Sequence, residues 1–147
     1  MDGIPRKVRF NYKIDDESID SHAEHWQIYL LISGRFSIEV FGRVWFQEVH
    51  VPLVELGVQL SKWIREAGAD DFEYESMEAA EGALFRFSRV EDGWRMYSSS
   101  AEFRCMEVFT FEELKCEAEN YLASLLLALW NEYSIDISGL LSGRIKV

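Results

Sequence analysis

The segment from Thr110 to Trp130 sets the strongest limit on how this chain can fold. It opens with Thr110-Phe111-Glu112-Glu113. The threonine hydroxyl can accept the N–H of Glu113 while the glutamate side chain reaches back to the cap, a reciprocal arrangement that starts a helix. Leu114, Ala118, Tyr121, Leu122, Leu125 and Leu129 then recur at helical spacing. Leu126, Leu127 and Trp130 widen that stripe to nearly the whole circumference. A helix apolar all round does not belong on a surface. Its C-terminal half is therefore expected to be the central helix of the core, or to contact another chain. Glu112, Glu113, Glu117 and Glu119 at its start suit the helix dipole, which is explanation enough for them.

The rest of the chain has to supply the layer against which that helix packs. Val8, Phe10, Tyr12 and Ile14 alternate with polar residues, the period of a half-buried strand. Asp15 to Ser18 read as a turn. His25 to Ile32 are expected to form a second, central strand, with Trp26, Ile28, Leu30 and Ile32 on one face. Ser33-Gly34-Arg35 reads as a hairpin turn, and Phe36, Ile38 and Val40 as a third strand. Gly42 interrupts it, and Val44 to Val49 continue as a bulged extension or a fourth strand. A first helix begins near Pro52, since proline suits the first helical position. Its stripe is Leu53, Leu56, Leu60, Trp63, Ile64 and Ala67, and Gly68 can end it in a left-handed conformation. In Phe72 to Glu75 the aromatic residues point one way and the glutamates the other. Ser76 to Gly82 form an acidic loop. Leu84 to Val90 and Trp94 to Ser98 are strands joined at Glu91-Asp92-Gly93, a tight-turn signal. Phe103 to Phe109 are expected to form a last long strand, and Ile135 to Val147 an irregular tail with at most a short strand. The connections are short enough for antiparallel pairing. The expected fold is a single α+β domain over 1–147: a mainly antiparallel sheet, an N-terminal meander plus C-terminal hairpins, with two helices packed on one face.

Charge narrows the functions open to such a fold. With 26 acidic against 15 basic residues, the net charge is −11. Nucleic acid and anionic membrane surfaces would be repelled, whereas encounter with a basic protein would be accelerated. The N-terminus, Met1 to Lys7, lacks the apolar stretch of a signal peptide, and the run Tyr121 to Trp130 is too short to span a bilayer. A cytoplasmic protein is expected. Cys105 and Cys116 form no CxxC pair; small buried thiols are the default, and whether they pair is open.

Catalytic patterns are missing. His22 and His25, three apart with Glu24 between, could share a helix face as metal ligands, but no helix is indicated there; His50 stands alone. Asp15, Asp16, Glu17 and Asp20 lack the central glycine of a calcium loop. Glu48, Glu73, Glu75 and Glu107 could supply an acid–base pair only through distances that sequence does not give. Ser98, Ser99 and Ser100 are in no nucleophile elbow, and no phosphate-binding glycine loop occurs. Arg86, Arg89, Arg95 and Arg104 are expected to pair with nearby acids across strands. No catalytic residue, metal or cofactor is assigned.

The remaining feature is a run of acids. Glu66, Asp70, Asp71, Glu73, Glu75, Glu78 and Glu81 follow Arg65 with no basic residue among them. With Phe72 and Tyr74 buried, Glu73 and Glu75 project together, and like charges so placed repel until a partner neutralises them. Asp70, Asp71, Glu73, Glu75, Glu78 and Glu81 are the candidate partner-binding residues. A small acidic chain without catalytic motifs, with an α+β layout, a Trp-bearing helix and an Asp-Gly hairpin, resembles the immunity proteins of bacterial toxin–immunity systems. The resemblance implies a protein that neutralises a basic toxin domain by direct contact; it carries over no individual residue. Two other readings stand beside it: an enzyme or small-ligand-binding domain with a dispersed site, and a homo-oligomeric adaptor that dimerises through the last helix.

Overall fold

The computed structural model describes residues 6–20, 22–75 and 84–146. It is an α+β fold built on two antiparallel three-stranded sheets. The first has the order β1 (Val8–Ile14), β2 (Ser33–Val40), β3 (Arg43–Pro52), and the second β4 (Phe72–Tyr74), β5 (Phe85–Val90), β6 (Gly93–Tyr97). Among the described residues, four α-helices accompany them, α1 (His25–Leu31), α2 (Leu53–Arg65), α3 (Phe111–Tyr133) and α4 (Ser138–Ser142), with a short 3-10 turn at Asp16–Ser18.

The sheets meet through aromatic rings. Phe10 stacks on Phe87 at 6.1 Å, Phe36 on Phe85 at 5.9 Å, and Phe46 tilts against Phe85 at 5.1 Å. Offset and tilted pairs at these separations add attraction beyond the area they bury.

The centre of the molecule is α2 rather than α3. Leu53, Val54, Glu55, Leu56, Gly57, Leu60 and Trp63 of α2 are all buried, and α1, α3 and α4 pack against it. Gly57 makes this closeness possible, since a side-chain carbon there would lie 3.2 Å from Leu141 and 3.3 Å from Leu122. On α3, Leu114, Ala118, Tyr121, Leu125 and Leu129 are buried as the stripe requires, and the capping box forms. Leu127 and Trp130, however, are 57% and 56% exposed. An apolar circumference thus marks a helix with one buried face and one bare face, not the core helix.

Four other expectations change. His25–Leu31 is helical, started by the backbone N–H of Glu24 donating to the Gln27 side chain at 2.8 Å. Ile28 and Ile32 are buried four residues apart, a spacing that suits a helix as well as strand alternation. Gly34 lies inside β2, opposite both Ile14 and Val51, because any side chain there would collide with the Lys13 carbonyl. The turn is instead Phe41-Gly42, both at positive φ, as a two-residue hairpin demands. Residues 103–109 make no ladder; Phe109 forms a single bridge with Trp94. Elsewhere in that segment the Val108 carbonyl accepts Lys7 Nζ at 2.6 Å and the Cys105 carbonyl accepts Arg95 Nη2 at 3.4 Å. The tail forms α4, burying Leu140 and Leu141.

Both outer strands of the first sheet are met by polar partners. The Phe10 N–H on β1 donates to Glu117 Oε1 at 3.1 Å, and on β3 the Trp45 carbonyl accepts the Glu102 N–H at 2.8 Å. Among the described residues no helix is long and apolar enough to cross a membrane.

Candidate functional site

The acidic run is shaped by the way α2 ends. Ala67 and Gly68 take positive φ values of 53° and 66°, and the Gly68 N–H donates to the Trp63 carbonyl at 3.2 Å. Glycine is required, since a side-chain carbon at 68 would lie 2.8 Å from the Phe111 ring. The chain then turns back beneath the helix. Trp63 packs its indole edge-on against Trp94 (5.3 Å) and Phe111 (5.0 Å) and donates its N–H to the Asp70 carbonyl at 2.9 Å. Asp71 Oδ1 accepts the Arg89 backbone N–H at 3.0 Å, and the Arg89 guanidinium donates to the Gly68 carbonyl at 2.7 Å. Gln59 grips β4 from above: its amide donates to the Glu75 carbonyl at 3.0 Å and its oxygen accepts the Glu75 N–H at 3.4 Å.

These bonds frame a groove of about 270 Å3 between the C-terminal half of α2, the following loop and β4, lined in part by Gln59, Lys62, Glu66, Asp70, Asp71 and Glu73. Phe72 and Tyr74 point into the core, and Glu73 and Glu75 face solvent. Of the candidate partner-binding residues, Asp70, Asp71 and Glu73 come together in the groove; Glu75 continues its line; Glu78 and Glu81 lie outside the described residues. Among the described residues, the ion pairs are Arg6–Glu117 and Lys7–Glu113, so none of the groove carboxylates is paired. Glu73 stands opposite Arg86 in the strand register, but the Arg86 guanidinium lies over the Tyr97 ring at 5.4 Å.

The expected cross-strand charge pairs are thus replaced by ring and backbone contacts. Arg89 sits over Trp94 and Arg95 over Tyr97. Neither they nor Arg104 form an ion pair among the described residues. Flat guanidinium groups stack readily on aromatic faces.

Sequence reasoning left Gln59 and Lys62 out of the site, although their spacing with Glu66 puts them on one helical face. It also passed over Glu55, which is fully buried in the first turn of α2 and accepts a hydrogen bond from the Tyr74 hydroxyl at 3.1 Å. Negative charge is favoured at that end of a helix. The other singled-out residues are dispersed. His22 precedes α1 and His25 opens it, both exposed, and no group of three or more His, Cys, Asp or Glu among the described residues could hold a metal ion. Cys105 is buried and Cys116 exposed, both free; burial pushes the Cys105 thiol pKa up.

Residues 10–130 match the family model described as "Domain of unknown function (DUF7878)", and the chain belongs to that family. No curated protein and no solved structure matches it.

Proposed function

We propose that this member of the DUF7878 family is a binding protein without catalysis of its own: an immunity or inhibitor protein whose acidic groove receives a basic surface of a toxin domain. The observation that carries this reading is the convergence of Glu66, Asp70, Asp71 and Glu73, unpaired among the described residues, on one groove with a fixed backbone. Like charges held close repel, and a cationic partner removes that repulsion. Carboxylates lining a cleft also raise the local field, steering a basic protein into contact. A cytoplasmic setting goes with this reading.

The test is co-expression with a toxin domain encoded beside the gene, followed by association kinetics on the purified pair. Rescue of growth, a stable complex and an association rate that falls about tenfold on Glu66→Lys plus Glu73→Lys support the proposal. An association rate unchanged by the double reversal, or no rescue by the intact chain, removes it. A second reading has one observation in its favour: Leu127 and Trp130 leave an apolar strip on α3 that a second copy of the chain would cover. Light scattering that finds only monomer would dismiss it.

A further inference from the structure

A second cavity shares Lys62 and Glu66 with the acidic groove but has the opposite character. Its volume of about 340 Å3 falls within the small end of the range for small-molecule sites. Three cations, Lys62, Arg65 and Lys146, line it against the single carboxylate of Glu66. In a chain with nearly twice as many acids as bases, 26 to 15, such a gathering needs a reason. Among the described residues none of the three cations is in an ion pair.

Arg65 is held in place without being neutralised. Its Nη1 donates to Ser61 Oγ at 2.8 Å and to the Leu141 carbonyl at 2.7 Å, and Ser61 Oγ itself donates to that carbonyl at 2.5 Å. Both acceptors are uncharged. A guanidinium so fixed presents its remaining N–H groups at little entropic cost. Gly143, at φ +82°, carries the chain past it; a side-chain carbon there would stand 3.2 Å from Arg65 Nη2.

The remaining wall is apolar and anchored. Val58 and Leu140 contribute from α2 and α4, and Ile145 from the tail. Ile145 is tied down by its N–H donating to the Gly139 carbonyl at 3.0 Å, with its side chain lying where a Gly139 side chain would be. Tyr29 of α1 completes the lining. Burial first, and the charge of Glu55 second, hold its hydroxyl pKa above the ordinary value, with the Gln59 hydrogen bond pulling the other way.

We infer that this cavity binds a small organic anion, a carboxylate or phosphate monoester whose charged end meets Lys62, Arg65 and Lys146 while a short apolar body lies against Val58, Leu140 and Ile145. The inference does not rest on the toxin-binding proposal: Lys62 and Glu66 line both the cavity and the groove, but Arg65, Lys146, Val58, Leu140 and Ile145 line this cavity and not the groove.

The test titrates the full chain with four probes, hexanoate, phenyl phosphate, inorganic phosphate and the neutral hexanamide, by calorimetry and by 15N–1H spectra. At least one of the two organic anions is expected to bind saturably at one site and to shift the Gly143 and Ile145 amides. The hexanoate and phenyl phosphate arms separate the two anion classes. Hexanamide and inorganic phosphate should bind at least about tenfold more weakly, as expected when either a charge-assisted contact or the apolar contact is lost. Lys62→Gln, at an exposed position, should weaken binding about tenfold, and Val58→Phe should abolish it by filling the cavity. No saturable shift with either organic anion overturns the inference. So does equal binding of inorganic phosphate or hexanamide, or affinity unchanged in Lys62→Gln.

Discussion

Glu117 seals the outer side of β1, and two substitutions separate its roles. Oε1 accepts the buried Phe10 N–H at 3.1 Å, and Oε2 accepts Arg6 Nη1 at 2.7 Å. The Arg6 side chain is 58% exposed, so solvent screens the ion pair and it contributes only about 0–1 kcal/mol. The Phe10 bond matters more. A hydrogen bond to a charged acceptor contributes about 1.5–3 kcal/mol, and a buried N–H left without an acceptor costs about 1–3 kcal/mol. Glu117→Gln keeps an oxygen in place and loses the charge, so its expected cost is about 0.5–1.5 kcal/mol. Glu117→Ala removes the acceptor and is expected to cost about 2–4 kcal/mol, a fall in Tm of roughly 4–16 °C for a chain of this size. Urea and thermal unfolding give the energies, and hydrogen exchange at the Phe10 amide reports the bond itself. If Glu117→Ala loses less than about 0.5 kcal/mol, or the two variants lose the same amount, the N–H is not what Glu117 serves and the reasoning fails.

Gly34→Ala should cost about 3 kcal/mol or more in urea unfolding, since the added methyl strikes the Lys13 backbone and not a side chain able to move. A variant within about 1 kcal/mol of wild type would show that the strands separate easily there. Trp130→Ser should leave stability within about 0.5 kcal/mol, because the indole is mostly exposed in the monomer; a larger loss that depends on protein concentration would reveal self-association. Tyr121, Tyr12 and Tyr29 have hydroxyl pKa values raised chiefly by burial. Their folded-state pKa values exceed the unfolded value of about 10, so the stability they contribute is whole below that pH and declines above it. Unfolding free energy measured from pH 7 to 11 should bend downward beyond about pH 10; a flat profile would contradict the burial of these hydroxyls.

What could be read from the residues alone depended on whether a signal was local. The capping box at Thr110, the alternation in Val8–Ile14 and the inward pair Phe72 and Tyr74 each encode their own outcome within a few residues, and each is observed. The α+β class followed from them. The fate of residues 103–109 depended on whether another strand lay alongside, which their own β-favouring composition does not contain. Likewise, Leu126, Leu127 and Trp130 record how apolar α3 is but not whether anything covers it. At Gly34 the residue type was a sound clue assigned to the wrong cause, a turn in place of two backbones crossing closely. The acids of the groove were legible because they are consecutive. Gln59 and Lys62 were not, because they approach from a preceding helix whose position is set by Trp63 reaching Asp70.

The grip of Ser61 and Arg65 on the Leu141 carbonyl joins positions 80 and 76 residues apart. During synthesis α2 leaves the ribosome long before that carbonyl exists, and its buried face must wait. Loops of this length close slowly, so the nascent chain passes through a stage in which the face of its middle helix that α4 covers is still bare. Arrest of translation between residues 134 and 140 should leave a protease-sensitive intermediate that becomes resistant once α4 emerges.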